Sequence, residues 1–112
     1  MPTYNNGIVP IDVEQNYAAG VHVLHTCPAY KISSIVSIRL NTVLINTIVL
    51  TVTRVNPSGV YVVYTFNLSA GDNMVDTSGY VLKAGDSISL TLSNAATVFV
   101  KGQTVQANPQ VF

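Results

Sequence analysis

Charge is scarce in this chain. Five basic and five acidic side chains among 112 residues, 9% in all, cancel to a formal net charge of zero, where an ordinary soluble domain carries roughly 25%. The cations Lys31, Arg39, Arg54, Lys83 and Lys101 are dispersed. They form no stripe that would follow a phosphate backbone and no patch for an anionic membrane surface, which argues against direct contact with nucleic acid or membrane. Cysteine occurs once, as Cys27, so no internal disulfide forms and stability must come from packing. The first residues lack the basic-then-apolar order of a secretory leader. The most apolar window, Val43 to Val52, is interrupted by Asn46 and Thr47 and falls far short of the ~20 residues of a spanning helix. No stretch repeats apolar residues at i, i+3, i+4 and i+7, so essentially no helix is expected.

What is there is apolar and alternating. Hydrophobic residues make up 48% of the chain. With so little charge, this composition suits a protein whose surface is largely covered by other protein, or else a secreted domain with a Ser/Thr/Asn surface. Period two runs through four segments. In KISSIVSIRL, Ile32, Ser34, Val36, Ile38 and Leu40 share one face, and Lys31, Ser33, Ser37 and Arg39 the other. In TIVLTVTRV, Ile48, Leu50 and Val52 oppose Thr47, Thr51 and Thr53. In VYVVYTFNL, Val60, Val62, Tyr64, Phe66 and Leu68 oppose Tyr61, Thr65 and Asn67. In DSISLTL, Ile88, Leu90 and Leu92 oppose Ser87, Ser89 and Thr91. Such alternation, filled with β-branched and aromatic residues, marks strands with one buried face. About seven or eight short strands at regular spacing predict an all-β chain: one antiparallel β-sandwich or jelly roll.

Turn chemistry separates the runs. In Asn56-Pro57-Ser58-Gly59, Pro57 presets φ and Gly59 accepts positive φ. The phrase L-x-A-G-D-x-apolar occurs twice, at Leu68–Asp72 with Met74 and at Leu82–Asp86 with Ile88. Gly71 and Gly85 supply the positive φ, Asp72 and Asp86 bond the neighbouring backbone, and the apolar residue returns to the core, so each copy is a corner that swings the chain between sheets. Lys101-Gly102-Gln103 reads as a turn between two last strands, 97–101 and 104–107. The periodicity of residues 1–20 is weak, and Asn5, Asn6, Gly7, Pro10 and Gly20 punctuate them. They are expected to be an extended arm before a sandwich over 21–107 and a tail over 108–112.

Residue types that carry chemistry are present without a persuasive pattern. Asp72, Asp76 and Asp86 are close in sequence, but no histidine lies near them, and their spacing is not that of a calcium loop. His22 and His25, three apart on a strand, should point to opposite faces and share no zinc. Cys27 before Pro28 suits a small buried residue. No enzyme activity, cofactor or metal is expected. Tyrosine is common at interfaces, and Tyr61 is read as facing outward. Tyr4, Ile8, Val9, Ile11, Tyr17, Tyr61, Val111 and Phe112 are the candidate interface residues, most of them on the arm or the tail.

Residues 25 to about 105 resemble a small virion protein of tailed bacteriophages. The likeness rests on Pro28-Ala29 feeding a strand that ends at Asn41, on the Leu68–Gly71 turn, on the G-x-v-L-x-x-G-D-x-i segment from Gly79 to Ile88, and on Val100–Gly102. It implies a virion location, after assembly in the host cytoplasm, and a structural role without catalytic residues. The likeness suggests a decoration (cement) protein that binds the major capsid protein or other virion proteins and its own copies as a homotrimer. A tail- or fibre-associated protein that meets the host surface is the alternative it leaves.

Overall fold

The computed structural model describes residues 8–106. Within them the chain forms nine strands and no helix: β1 Val9–Tyr17, β2 Gly20–Thr26, β3 Lys31–Thr42, β4 Asn46–Val55, β5 Ser58–Leu68, β6 Asn73–Asp76, β7 Tyr80–Lys83, β8 Ser87–Leu92 and β9 Ala96–Gln106. They make two antiparallel sheets. Sheet A has the order β1-β9-β3, with β6 and β7 end to end along the far side of β3. Sheet B has the order β2-β8-β4-β5. Successive strands cross repeatedly between the sheets, as in a jelly roll.

The core lies between the sheets. Ile35, Ile38, Leu40, Val98, Val100 and Leu82 face Ile48, Leu50, Val52, Ile88 and Leu90, all essentially without solvent exposure. Each such side chain contributes about 1.5–3 kcal/mol on burial. β4 alternates as its sequence predicts, and β8 does so except that Ser89, on its outer face, is buried as well.

Three strands depart from the simple alternation, each at a bulge. A bulge inserts one residue, so every side chain beyond it changes face. In β3 the pairing with β9 shifts between Ile35 and Ser37. Ser33 and Ile35 are therefore buried before the shift and Ile38 and Leu40 after it, while Val36 is exposed and Ile32 and Ser34 are not core residues. In β5 the shift leaves Val63 unpaired between Tyr64, opposite Leu50, and Val62, opposite Thr51. Cross-strand partners share a face, so Tyr61 lies on the core side with Val52, and Val60 and Val62 lie outside with Thr53 and Thr51. That reverses the sequence-based assignment of these three residues. In β2 the shift at Leu24 sets His22 opposite Leu90 and His25 opposite Ile88, so both histidines turn to the same side.

Residues 9–17, expected within an extended arm, are a strand of the sandwich. β1 pairs with β9 from Val9–Thr104 to Tyr17–Ala96. The periodicity of β1 is weak because an edge strand needs only a few inward residues: Ile11 is buried, Val13 and Tyr17 partly so. Ile11 is thus a core residue and unavailable to a partner, whereas Ile8 and Val9 are exposed. Tyr4, Val111 and Phe112 lie outside the described residues. β9 runs unbroken through Gly102, where a turn was expected.

Candidate interaction surfaces

Both copies of the repeated phrase are corners between the sheets, the first carrying the chain from β5 to β6 and the second from β7 to β8. Gly71 and Gly85 take φ of 82° and 86°. At the first corner the Ser69 N–H donates to Asp72 Oδ2 at 3.1 Å, and at the second the Lys83 N–H donates to Asp86 Oδ2 at 3.0 Å. Met74 and Ile88 then enter the core. The copies differ in what else the aspartate holds. Asp72 is exposed. Asp86 is buried and also accepts from the Val55 N–H at 2.9 Å and from Arg54 at 2.8 Å. Burial pushes the Asp86 carboxyl up, but the Arg54, Val55 and Lys83 hydrogen bonds outweigh it and hold the group below the usual carboxylate range.

The Asn56-Pro57 bond is cis, and Gly59 is not at positive φ. Gly59 pairs with Arg54 in the ladder instead. Glycine leaves room there for the Tyr61 ring, whose hydroxyl lies 2.8 Å from where a Cβ would sit.

The groups that could do chemistry are engaged structurally. Asp76 accepts from the Ser78 N–H at 2.9 Å and from the Tyr80 hydroxyl. Burial raises the Asp76 carboxyl, yet these hydrogen bonds bring it below its ordinary value, while burial and Asp76 push the Tyr80 phenol up to about 12. His25 Nε2 lies 2.7 Å from Ser33 Oγ, which lies 2.8 Å from Thr104 Oγ1. A serine beside a histidine suggests a nucleophile and its base, but Ser33 is 0% exposed. His22 bonds the Ala18 carbonyl at 2.7 Å and lies against Tyr17. Cys27 is buried, its thiol 3.3 Å from the Lys31 carbonyl. Among the described residues no three His, Cys, Asp or Glu side chains group as a metal site would require.

Asn46, which reads in the sequence as a break in an apolar run, is a buried hub. Its Nδ2 donates to the Asn94 carbonyl at 2.7 Å, and its Oδ1 accepts from the Ser93 and Asn94 N–H groups at 3.0 and 3.1 Å. No sequence signal separates such an asparagine from one in a loop.

These titrations set a pH dependence. Burial lowers the pKa of His25. The unfolded chain therefore takes up that proton first, and this contribution to stability, present above about pH 6.5, is lost as pH falls. The lowered carboxyls of Asp76 and Asp86 add stability that is present above about pH 4 and lost as pH falls through their folded values. Tyr80, raised to about 12, stabilises below pH ~10 and loses that contribution as pH climbs toward 12. Urea midpoints should be flat from about pH 7 to 9, fall gently below pH ~6.5 and steeply below pH ~4; a midpoint unchanged down to pH 4 would contradict the His25 environment.

The two outer surfaces are unlike each other. That of sheet A carries charge: Asp12 pairs with Lys101 at 2.6 Å, and Glu14, Phe99 and Arg39 stand in one row, with the guanidinium 5.9 Å from the Phe99 ring centre. The four strands of sheet B contain one charged residue, Arg54, and it is bound to Asp86. Three rows cross all four strands on the outer face of sheet B: Val21-Thr91-Val49-Thr65, Val23-Ser89-Thr51-Val62 and Thr26-Ser87-Thr53-Val60. Every member is valine, serine or threonine. On its other face, β5 carries Tyr61 and Tyr64, about half exposed, with Tyr64 stacked on Phe66 at 4.4 Å. Tyr61 also borders a cleft of about 540 Å³ with Arg54, Asn56, Pro57, Val81, Lys83 and Asp86.

No family model matches this chain, and no curated protein does. Among solved structures, it is similar to a chain of the Bacillus endospore appendages, described as a family of disulfide-linked pili. The identity is 11% and the TM-score 0.52, over 90% of this chain and 89% of that one. It is also similar to a pentameric capsid protein from metagenomic phage sequences (17% identity, TM-score 0.47, 95% of this chain and 64% of that one). A chain of infectious bursal disease virus, Gx strain, shares 12% identity at a TM-score of 0.49, over 94% of this chain and 33% of that one. The likeness to the appendage chain is one of fold; the two viral ones fall below the TM-score at which a shared fold is argued.

Proposed function

We propose that the protein is a structural component of a bacteriophage virion that decorates the head lattice and binds through the outer face of sheet B. The observation that carries this reading is that face: three complete Val/Ser/Thr rows without a charge, on a molecule whose few charges cluster on the opposite sheet. An uncharged, β-branched surface loses little on desolvation and favours cover by another protein. The resemblance over residues 25 to about 105 supplies the virion context. The reading assigns no catalysis, since Asp72, Asp76 and Asp86 are tied to backbone and side-chain donors and Ser33, beside His25, is buried. Many copies on a lattice multiply a modest contact.

The test is co-sedimentation of the purified protein with undecorated capsids. Thr51→Lys, in the middle of the central row, should weaken binding about tenfold or more by forcing a cation into an uncharged contact, with folding intact. Capsid binding unchanged by Thr51→Lys would overturn the reading. The exposed Tyr61 beside the cleft favours a second reading, a tail or fibre protein that attaches to the host surface. In that case it is Tyr61→Ala that loses binding, and to cells rather than capsids.

A further inference from the structure

We infer that β5 pairs edge to edge with β5 of a second copy, antiparallel about a two-fold axis near Val62 and Val63. The four sheet edges differ sharply in how they are guarded. β1 carries Pro10, Asp12 and Glu14, all residues that discourage a further strand. β6 and β7 are four residues each, and short edges guard themselves. β2 has seven residues and a bulge. β5 has eleven residues, Ser58–Leu68, with no charge and no proline, and among the described residues no strand pairs with its outer side.

The sequence of that edge is also self-complementary. Val60-Tyr61-Val62-Val63-Tyr64-Thr65 reads nearly the same in both directions. Laid antiparallel on itself about the 62–63 step, it sets Tyr61 opposite the second copy's Tyr64 and Val60 opposite the second copy's Thr65. In an unbulged strand this odd register would oppose side chains from different faces. The unpaired Val63 corrects it: Tyr61 and Tyr64 both lie on the core side, opposite Val52 and Leu50, and Val60 and Thr65 both lie outside, opposite Thr53 and Val49. The bulge, elsewhere a guard of edges, here brings the faces into phase. A charged edge laid against β5 would strand its charge among valine and tyrosine, so the complement of this neutral edge is another neutral edge. A second copy supplies one. The joined sheet would have eight strands, and the Val/Ser/Thr rows would continue across the junction through Val60, Val62 and Thr65. This pairing extends the surface on which the proposed docking rests. It makes a dimer, where the resemblance implied a trimer, because isologous contact closes at two.

Light scattering of the whole protein tests the pairing. The wild type should run at twice the 12.0 kDa chain mass, and Val62→Lys, which sets two cations beside the axis, should weaken association at least about tenfold. Oxidised Val62→Cys should give a reducible dimer. Val21→Cys, on the exposed β2 edge, should not, and Cys27 is buried and silent in both. A monomeric wild type, a trimer, or cross-linking no greater in Val62→Cys than in Val21→Cys would overturn the inference. The two readings fail separately. A monomer that decorates capsids rejects the β5 pairing alone, and a β5 dimer whose capsid binding ignores Thr51→Lys rejects the docking face alone.

Discussion

Asp86→Ala lowers stability by about 3 kcal/mol, while Asp72→Ala, the same change in the other copy of the repeated phrase, costs about 1 kcal/mol or less. The phrase is one motif, and both corners close with the same bond, from the backbone N–H three residues before the aspartate. The difference lies in the second ring of partners. Asp72 is exposed, so water takes over the one N–H it releases. Asp86 has 4% of its side chain exposed and joins the corner to the end of β4 through the Val55 N–H and Arg54. Without it two sheltered N–H groups lose their acceptor, each at about 1–3 kcal/mol. Arg54 loses less, since a third of its side chain is exposed and it still reaches the Val81 carbonyl at 2.7 Å. For a chain of this size the loss corresponds to a fall in Tm of about 10 °C. Asp86→Asn, which keeps one acceptor oxygen, should fall between. Thermal unfolding of the three variants decides the matter, and equal losses at the two corners would show that the link to β4 adds nothing.

The corners were legible because glycine before aspartate marks a positive φ and a backbone acceptor together, and both effects are local. β4 and β8 were legible because central strands must fill one face of the core with every second residue. The phase of β2, β3 and β5 was not, because the residues at their bulges, Leu24, Val36 and Val63, resemble their neighbours. An inserted valine in a valine-rich strand leaves no mark on composition, yet it moves Tyr61 to the core side and the valines of β5 to the outside. The uncharged face of sheet B was hidden for the same reason. The scarcity of charge could be counted, but that the outer rows of one sheet hold none of it depends on which strands are neighbours, and neighbours here are distant in sequence. β1 was read as arm because an edge strand with one fully buried residue hardly alternates. Asn46 was read as an interruption because burial of an amide shows only in its partners.

Gly102 shows the ambiguity in its sharpest form, and Gly102→Ala is the second large effect. In sequence, Lys101-Gly102-Gln103 has the composition of a turn. In the fold, Gly102 sits inside β9, paired with Ile11 on one side and Ile35 on the other, beside the β3 bulge. The bulge brings the Ser34 carbonyl into the space of a side chain: a Cβ on Gly102 would lie 2.1 Å from Ser34 O and 3.1 Å from Ile35 Cα. Both obstacles are backbone and cannot rotate away. β9 cannot retreat either, because it is held between β1 and β3. Relief requires the bulge to open, and with it the phase that buries Ile38 and Leu40. Overpacking of this kind costs about 3 kcal/mol or more, which should appear as a clear fall in urea midpoint or as loss of soluble protein. Gly59→Ala is the matched control. The atoms its Cβ would meet first all belong to the Tyr61 ring, a half-exposed side chain that can swing outward, so the cost should stay near 1 kcal/mol. If Gly102→Ala unfolds at the wild-type midpoint, the close approach of the Ser34 carbonyl is wrong, and so is the bulge that places Val36 outside and Ile38 in the core.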